Sequence, residues 1–369
     1  MLGLIADDLT GANDAAVQFA RCGWSTLLVL ERSAMARPLA HRSLGEGGSV
    51  VAVTTDARAL DNAAAEKATA DAVAQLVDAG IDRIFLKIDS TMRGSVPGQI
   101  AGALSAWRPA GSAASAVVCP AYPQMGRTVV ENRVLIDGGL LELSPIGRDP
   151  VTPVRTSDLA VLIPGSEKRG REPFSTGNSE KGSRPLFSIT TVDASSDEDL
   201  AVLATAIVAA GAPVIPVGSA GLAKAMASAW SAVPKRAADE RRHRVPPDPR
   251  ILVQVTSLNP VSLAQVARLA EKFPDVLVLT GEARSASAAV HEHLRSGRWD
   301  VLGLVGGDGA RAAVARLGAS AIRIVDTLLE GVPLGVIIGG AADGMPVFTK
   351  AGGFGNEDAL VRIVEGLKT

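Results

Sequence analysis

Short apolar runs alternate with amphipathic stretches along most of this chain. "LGLIA" (2–6), "STLLVL" (25–30), "SVVAVTT" (49–55), "RIFLKI" (83–88) and "SAVVCP" (115–120) are aliphatic runs bounded by polar or glycine residues. They read as buried strands. "GANDAAVQFARCG" (11–23) and "NAAAEKATADAVAQLVDAG" (62–80) have helical periodicity and close on glycine. Strand "LFSITTV" (186–192), helix 197–210 and strand "PVIPVG" (213–218) continue the pattern. A second series follows: "ILVQVT" (251–256), helix 260–272, "DVLVLT" (275–280), helix 284–296, "DVLGLVGG" (300–307) and helix 310–317. The end reads as a strand, a glycine loop and a final helix. Strands separated by helices predict an α/β protein of two domains, each with a mostly parallel sheet flanked by helices. The charged, proline-rich stretch 234–250 marks the division. It predicts an amino-terminal domain over 1–233, a linker over 234–250 and a carboxyl-terminal domain over 251–369. The polar stretch 165–185 predicts a surface loop.

Composition narrows this picture. The length of 369 residues suits two domains, and aromatics are only 3%, so small aliphatic side chains must fill the core. Lys and Arg number 37 against 39 Asp and Glu, a net charge of −2. No basic field points to nucleic acid or to a membrane surface. Cys22 and Cys119 are too few and too separate for a disulfide framework or a paired-cysteine metal site. The uncharged stretch from Leu200 to Ala223 is broken by Gly211, Pro213 and Pro216, which predicts helix, turn and strand rather than a membrane span. Acids as early as position 7 argue against a signal peptide, so the expected location is the cytoplasm.

Candidate chemistry gathers where strands end, the side on which open α/β sheets bind ligands. Asp7 and Asp8 follow the first strand directly. One acid suffices to cap the next helix, as Asp8 or Thr10 would, so two suggest function. "LKIDSTMRGSVPGQI" (86–100) is a second such mouth, with Asp89, Ser90, Thr91 and Arg93. An acid, hydroxyls and a guanidinium suit a polyhydroxy carboxylate, which Arg93 would grip through its forked N–H groups. A capped turn with a surface arginine is the plainer reading of either mouth alone. "CPAYPQMGRTVVENR" (119–133) is a third junction and contributes Arg127. The carboxyl-terminal half offers glycine loops instead: "VTSLNPVS" (255–262), "LVGGDGARAAV" (304–314) and "FTKAGGFGNED" (348–358). Helix starts of this kind attract phosphate, and Lys350 would offset its charge.

Several familiar motifs are missing. "GSAGLAKA" (218–225) lacks the spacing of a P-loop, and no G-x-G-x-x-G follows the first strand. A haloacid-dehalogenase nucleophile would fall on Ala6. The histidines, His41, His243, His291 and His293, form no triad or zinc pattern.

The blocks "GLIADDLTGANDAA", "KIDSTMRG", "CPAYPQMGRT", "VGSAGLAKAMA", "SLNPVS", "GGDG" and "TKAGGFGNEDAL" resemble, in order, the four-carbon acid sugar kinase family. The resemblance implies an ATP- and Mg²⁺-dependent kinase of threonate, erythronate or 3-oxo-tetronate, with the active site in an interdomain cleft, and a homodimer. It implies that Asp7, Asp8, Asp89, Ser90, Arg93 and Arg127 face the acid sugar. Ser257, Gly306, Gly307, Asp308, Gly309, Lys350, Gly352 and Gly353 would face the nucleotide. Asp8 is the first choice for the base that takes the hydroxyl proton and Asp89 the second; no metal ligand is assigned. Thr256 stands where the family usually has glycine, and Gly309 where it usually has threonine. The rival readings are a phosphatase of small phosphorylated sugar acids and a non-catalytic sugar-acid sensor.

Overall fold

The computed structural model describes residues 1–30, 48–149, 152–169, 188–231 and 245–368. In chain order the strands are β1 (Leu2–Ala6), β2 (Ser25–Val29), β3 (Ser49–Thr54), β4 (Arg83–Lys87), β5 (Ser115–Cys119), β6 (Arg127–Val130), β7 (Arg133–Ile136), β8 (Gly139–Leu140) and β9 (Glu167–Arg169). They continue with β10 (Ser188–Val192), β11 (Val214–Gly218), β12 (Ile251–Val255), β13 (Leu277–Thr280), β14 (Val301–Val305), β15 (Ala321–Leu329), β16 (Val332–Ile338) and β17 (Pro346–Lys350). The helices are α1 (Leu9–Arg21), α2 (Asn62–Asp78), α3 (Val96–Ala106), α4 (Leu159–Leu162), α5 (Asp197–Ala210), α6 (Ala220–Ala229), α7 (Pro260–Lys272), α8 (Ala283–Ser296), α9 (Gly307–Arg316) and α10 (Ala359–Lys368). Among the described residues no helix is long and apolar enough to cross a membrane.

The chain divides into two compact units, one of residues 1–22 and 48–231, the other of 23–30 and 245–368. In the first unit the strand order is β3-β1-β4-β11-β5-β10-β9, and every pair is parallel. A parallel sheet is covered on both faces, so its strands are apolar throughout. All five residues of β1 are buried, and so are all six of β3. The chain places β3 on one side of β1 and β4 on the other. That reversal makes the carboxyl end of β1 a switch point, where a crevice opens between diverging loops. Strands β6, β7 and β8 form a separate antiparallel sheet in this unit.

In the second unit the order is β13-β12-β14-β17-β16-β15-β2. Strands β13, β12, β14 and β17 are parallel, and β16, β15 and β2 extend them in antiparallel fashion. Here the switch lies at β12, which has β13 on one side and β14 on the other. Its core joins Ile251, Val253 and Val255 to Phe348 and to Leu360, Ile363 and Val364 of α10.

The α/β class and the mostly parallel sheet flanked by helices follow the sequence expectation, with local differences. Helix α1 starts at Leu9 rather than near Gly11, because Asp8 is its N-cap and accepts from the Gly11 amide. The run at 25–29 is a strand, and it pairs antiparallel with Ala321–Ile324, far along the chain. Within the expected loop 165–185, Glu167–Arg169 pairs with β10 as an edge strand. Residues 170–187, 40–47 and 232–244, the last including most of the expected linker, lie outside the described residues.

Helices α2 and α3 pack through glycine. A Cβ on Gly98 would fall 2.2 Å from the Asn62 carbonyl oxygen, and one on Gly102 would fall 2.2 Å from that of Glu66. Alanine is preferred over glycine in a helix by about 1 kcal/mol. Overpacking against backbone that cannot rotate away costs about 1–3 kcal/mol and outweighs that gain. Gly102→Ala is therefore expected to lower the thermal midpoint by about 2–4 °C. A rise in a calorimetric scan would contradict this contact.

Candidate active site

At the switch point of the first unit, charge is concentrated. Asp7 leaves the end of β1 fully buried, and Arg58 meets it with two parallel hydrogen bonds, Nε to Oδ2 and Nη2 to Oδ1, both 2.9 Å. The same guanidinium reaches Asp8 through Nη1 at 2.6 Å and lies 3.7 Å from Asp89 Oδ1. Three carboxylates thus share one arginine. Burial works against its charge, but Asp7, Asp8 and Asp89 outweigh it and hold the Arg58 pKa well above its ordinary value. Arg58 sits on a short 3-10 turn, Ala57–Ala59, entered through Asp56 in a left-handed conformation. Gly94, at φ +89°, lets the next loop close on it, since a Cβ there would lie 3.1 Å from the Arg58 carbonyl oxygen.

Asp8 is the more open of the opening pair, with 21% of its side chain exposed. Its Oδ1 accepts from the Gly11 amide at 2.6 Å and its Oδ2 from the Thr10 hydroxyl at 2.9 Å. Asp89, just past β4, accepts from Arg93 Nε at 2.9 Å and Nη2 at 3.1 Å, and from the Thr91 hydroxyl. Burial alone would raise its pKa; Arg93 first, then Arg58 and Lys87, hold it well below the usual carboxylate range. Arg93 also lies 3.5 Å from Asp149. Its fork is thus closed on Asp89, and its Nη1 faces the Asp149 carboxylate. Lys87, the last residue of β4, is buried and donates to the Ile88 carbonyl at 3.0 Å. Its ammonium would lie 3.2 Å from a Cβ on Gly11, so glycine at 11 leaves room between the ammonium and the Asp8 carboxylate.

The structure therefore brings Asp7, Asp8, Asp89 and Arg93 together, with Ser90 next to them at the same strand end. Arg127 lies in the separate antiparallel sheet on β6, where its guanidinium donates to the Met125 carbonyl. Arg58 and Lys87 are the residues that motif reading missed. Arg58 comes from an unremarkable turn far from the acids in sequence, and only the fold returns it to them. Lys87 reads as the polar edge of a strand, though a lysine ending a buried strand beside an acidic mouth is a usable signal.

The second unit answers differently. Thr256 and Ser257 follow β12, Gly306 follows β14, and Lys350 ends β17, so three neighbouring strands deliver their loops to one edge. Helix α9 starts at Gly307 with Gly306 as N-cap, at φ +103° and with no side-chain cap bond. Its first amides face outward without an intrahelical acceptor, an arrangement suited to phosphate. The loops interlock through glycine. A Cβ on Gly352 would fall 2.0 Å from Ser257 Oγ, one on Gly353 2.8 Å from Asn259 Nδ2, and one on Gly309 2.1 Å from Thr256 Oγ1. Glycine is required here by loop packing on loop. Lys350 is fully buried and ties the glycine loop down by donating to the Ala351 and Gly352 carbonyls at 2.9 Å each. Burial pushes its pKa down to about 8. Among the described residues no group of three or more His, Cys, Asp or Glu side chains is arranged to hold a metal ion.

Two pH dependences follow. The depressed Asp89 value means that its carboxylate contributes stability above the ordinary 3.8 and loses it as pH falls through the lower folded value. Asp89→Asn should thus unfold at lower temperature than the parent at pH 7, with the gap closing below pH 3.8. A constant gap in thermal scans would remove the ionic account. Lys350 has the opposite sense. Unfolded, it binds its proton up to 10.5, but folded only to about 8, so stability rises with pH across that window. The rise amounts to roughly 3 kcal/mol. Denaturant titrations should show that rise in the parent and not in Lys350→Met.

Comparison with known proteins gives a match for each half of the chain. Residues 2–226 match the family described as "Sugar-binding N-terminal domain", and residues 212–360 match "Nucleotide-binding C-terminal domain". The chain is 35% identical to a D-threonate kinase of Bordetella bronchiseptica, over 100% of this chain and 97% of that protein. It is 26% identical to a D-erythronate kinase of Heliobacterium modesticaldum, over 99% of this chain and 97% of that one. A crystal structure from Bordetella bronchiseptica, described as a domain of unknown function with bound citrate and a domain-swapped dimer, is similar at 33% identity. That match has a TM-score of 0.54 and covers 100% of this chain and 98% of that one. A Salmonella typhimurium structure described as a putative tRNA synthase shares the fold, with a TM-score of 0.70 at 19% identity over 98% of each chain. With both domain models matched and a full-length relative at this identity, the chain belongs to the four-carbon acid sugar kinase family.

Proposed function

We propose that this protein transfers the γ-phosphoryl group of ATP to the terminal hydroxyl of a four-carbon acid sugar, and that D-threonate is the preferred acceptor. The observation that carries the reading is the acidic switch point of the first unit, where Asp8 stands partly open among clamped charges. The choice of D-threonate is supported by the relative at 35% identity, which is named for that substrate. ATP brings the phosphoryl group and, with Mg²⁺, the charge neutralisation that its transfer needs.

The chain's own residues divide the remaining work. Asp7, locked to Arg58, fixes the floor of the site. Asp89 is a poor proton acceptor because three cations stabilise its charge; it holds Arg93 in place. Arg93 turns its remaining N–H groups toward the substrate carboxylate, and Ser90 offers a hydroxyl to the polyol. Asp8 takes the proton of the attacking hydroxyl. On the nucleotide side, the amides of Gly307, Asp308 and Gly309 and the loops at Ser257, Gly352 and Gly353 receive the phosphates, with Lys350 bracing the glycine loop.

A coupled ADP-release assay over D-threonate, D-erythronate, L-threonate and the 3-oxo acids tests the reading. Turnover with the highest kcat/KM on D-threonate is expected. Phosphate release without ATP would replace it with a hydrolase, and binding without turnover with a sensor. Asp8→Asn separates the base from the cap, because asparagine caps helices as well as aspartate does. It should fold normally and bind the acid sugar, yet lose about 10²–10⁴-fold in kcat. Full turnover in this variant would take the proton-accepting role away from Asp8.

A further inference from the structure

The turn that opens α9 is shaped by a side chain from another strand. Thr256, one residue past β12, lies half-buried against it. Its Oγ1 would be 2.7 Å from a Cβ on Gly306 and 2.1 Å from one on Gly309, and its Cγ2 would be 2.4 Å from the latter. Gln254 closes the same space from below, with Nε2 2.7 Å from that Gly309 Cβ position. Thr256 and any side chain at 309 therefore exclude each other. The hydroxyl at this turn has a weak partner, the Val305 carbonyl at 3.3 Å. The Gln254 carboxamide is fully buried with neither polar atom hydrogen-bonded. A buried unpaired carboxamide is costly, and it marks a place where polar capacity is held ready at a helix start that has no side-chain cap.

We propose that Thr256 is a nucleotide-binding residue, its hydroxyl donating to a phosphate oxygen at the start of α9, and that Gly309 is the space kept open for it. The proposal rests on the reading of this unit as the nucleotide domain and adds a residue to it. Three features converge. Thr256 stands at the β12 switch point, where open sheets bind ligands. The first amides of α9 attract an anion but contribute no side chain that would fix its position. A hydroxyl delivered from β12 supplies that fixed point, since its own backbone amide is tied to the Val305 carbonyl at 3.0 Å.

Calorimetric titration of ADP and of a non-hydrolysable ATP analogue into the full-length protein tests this. Thr256→Val keeps the shape and removes the hydroxyl; it should weaken nucleotide binding about 10- to 100-fold, the range for a hydrogen bond to a charged group. KM for ATP should rise with KM for the acid sugar unchanged. Thr256→Ser keeps the hydroxyl and loses the methyl group, and should stay within a few-fold of the parent. Gly309→Thr should lose nucleotide affinity, and Thr256→Gly with Gly309→Thr should regain most of it by supplying the hydroxyl from α9 itself. If the valine variant binds like the parent while the serine variant weakens, Thr256 is only a packing plug and the proposal fails. If the parent itself binds no nucleotide, the reading of the domain fails with it, a result distinct from the first.

Discussion

A strand buried on both faces leaves the chain one place to be polar, just beyond its carboxyl end. That constraint governs both units. Within β1, β3 and β12 every residue is buried, and the one polar member of β12, Gln254, has no hydrogen-bond partner. Groups that must carry charge or meet solvent gather where the sheet stops. The switch in strand order then decides which stop becomes a site, because only there do successive loops diverge and leave a crevice. Asp7 and Asp8 beyond β1, and Thr256 and Ser257 beyond β12, hold the same topological position in their respective units.

What each unit does with that position differs in its electrostatics. In the first unit three carboxylates lie near one guanidinium, and the desolvation of so many charges is tolerable only because each acid has a cation or amide at hydrogen-bond distance. Asp7 and Asp89 are fixed in place by forked arginine contacts. Asp8 differs: it is held by an amide, a hydroxyl and one edge of Arg58, and part of it faces solvent. Two adjacent acids in sequence thereby acquire different chemical characters, one as scaffold and one as a candidate reagent.

Much of this was legible in the chain. Aliphatic runs between glycine and polar boundaries gave nearly all of the parallel strands, because a doubly buried strand has no alternative composition. The acidic mouths at 7–8 and 89–93 were visible for the same reason, as charge where an apolar run ends. Three things were hidden, each physically. Strand β2 has the same composition whichever strand it pairs with, so its partner at Ala321–Ile324 could not be read from it. The hairpin β15–β16 mixes polar and apolar positions with register shifts near Ile324–Asp326 and Thr327–Leu329, which blurs its period of two. Arg58 lies in a turn with no motif, and its importance comes from a contact 51 residues away in sequence.

The glycines carry a related lesson. A glycine-rich loop is commonly taken to let a ligand approach the backbone, and that was the expectation at 306–309 and 352–353. The geometry shows that the loops also approach one another: Gly352 makes room for Ser257, Gly353 for Asn259 and Gly309 for Thr256. The difference matters for chemistry. A loop that is bare to admit a ligand has no reason to be stiff, whereas loops seated side chain into glycine are held in one arrangement before any ligand arrives. Lys350 adds to this by tying two carbonyls of the 351–352 turn from beneath, at the cost of a buried ammonium. In the proposed reaction the protein contributes mainly alignment, and alignment has to exist in advance to be worth anything. The second unit thus achieves with interlocked glycine loops what the first achieves with clamped charges, and the choice follows from the ligand. A triphosphate brings its own negative charge and would be repelled by an acid cluster, while a hydroxyl that must lose a proton needs one.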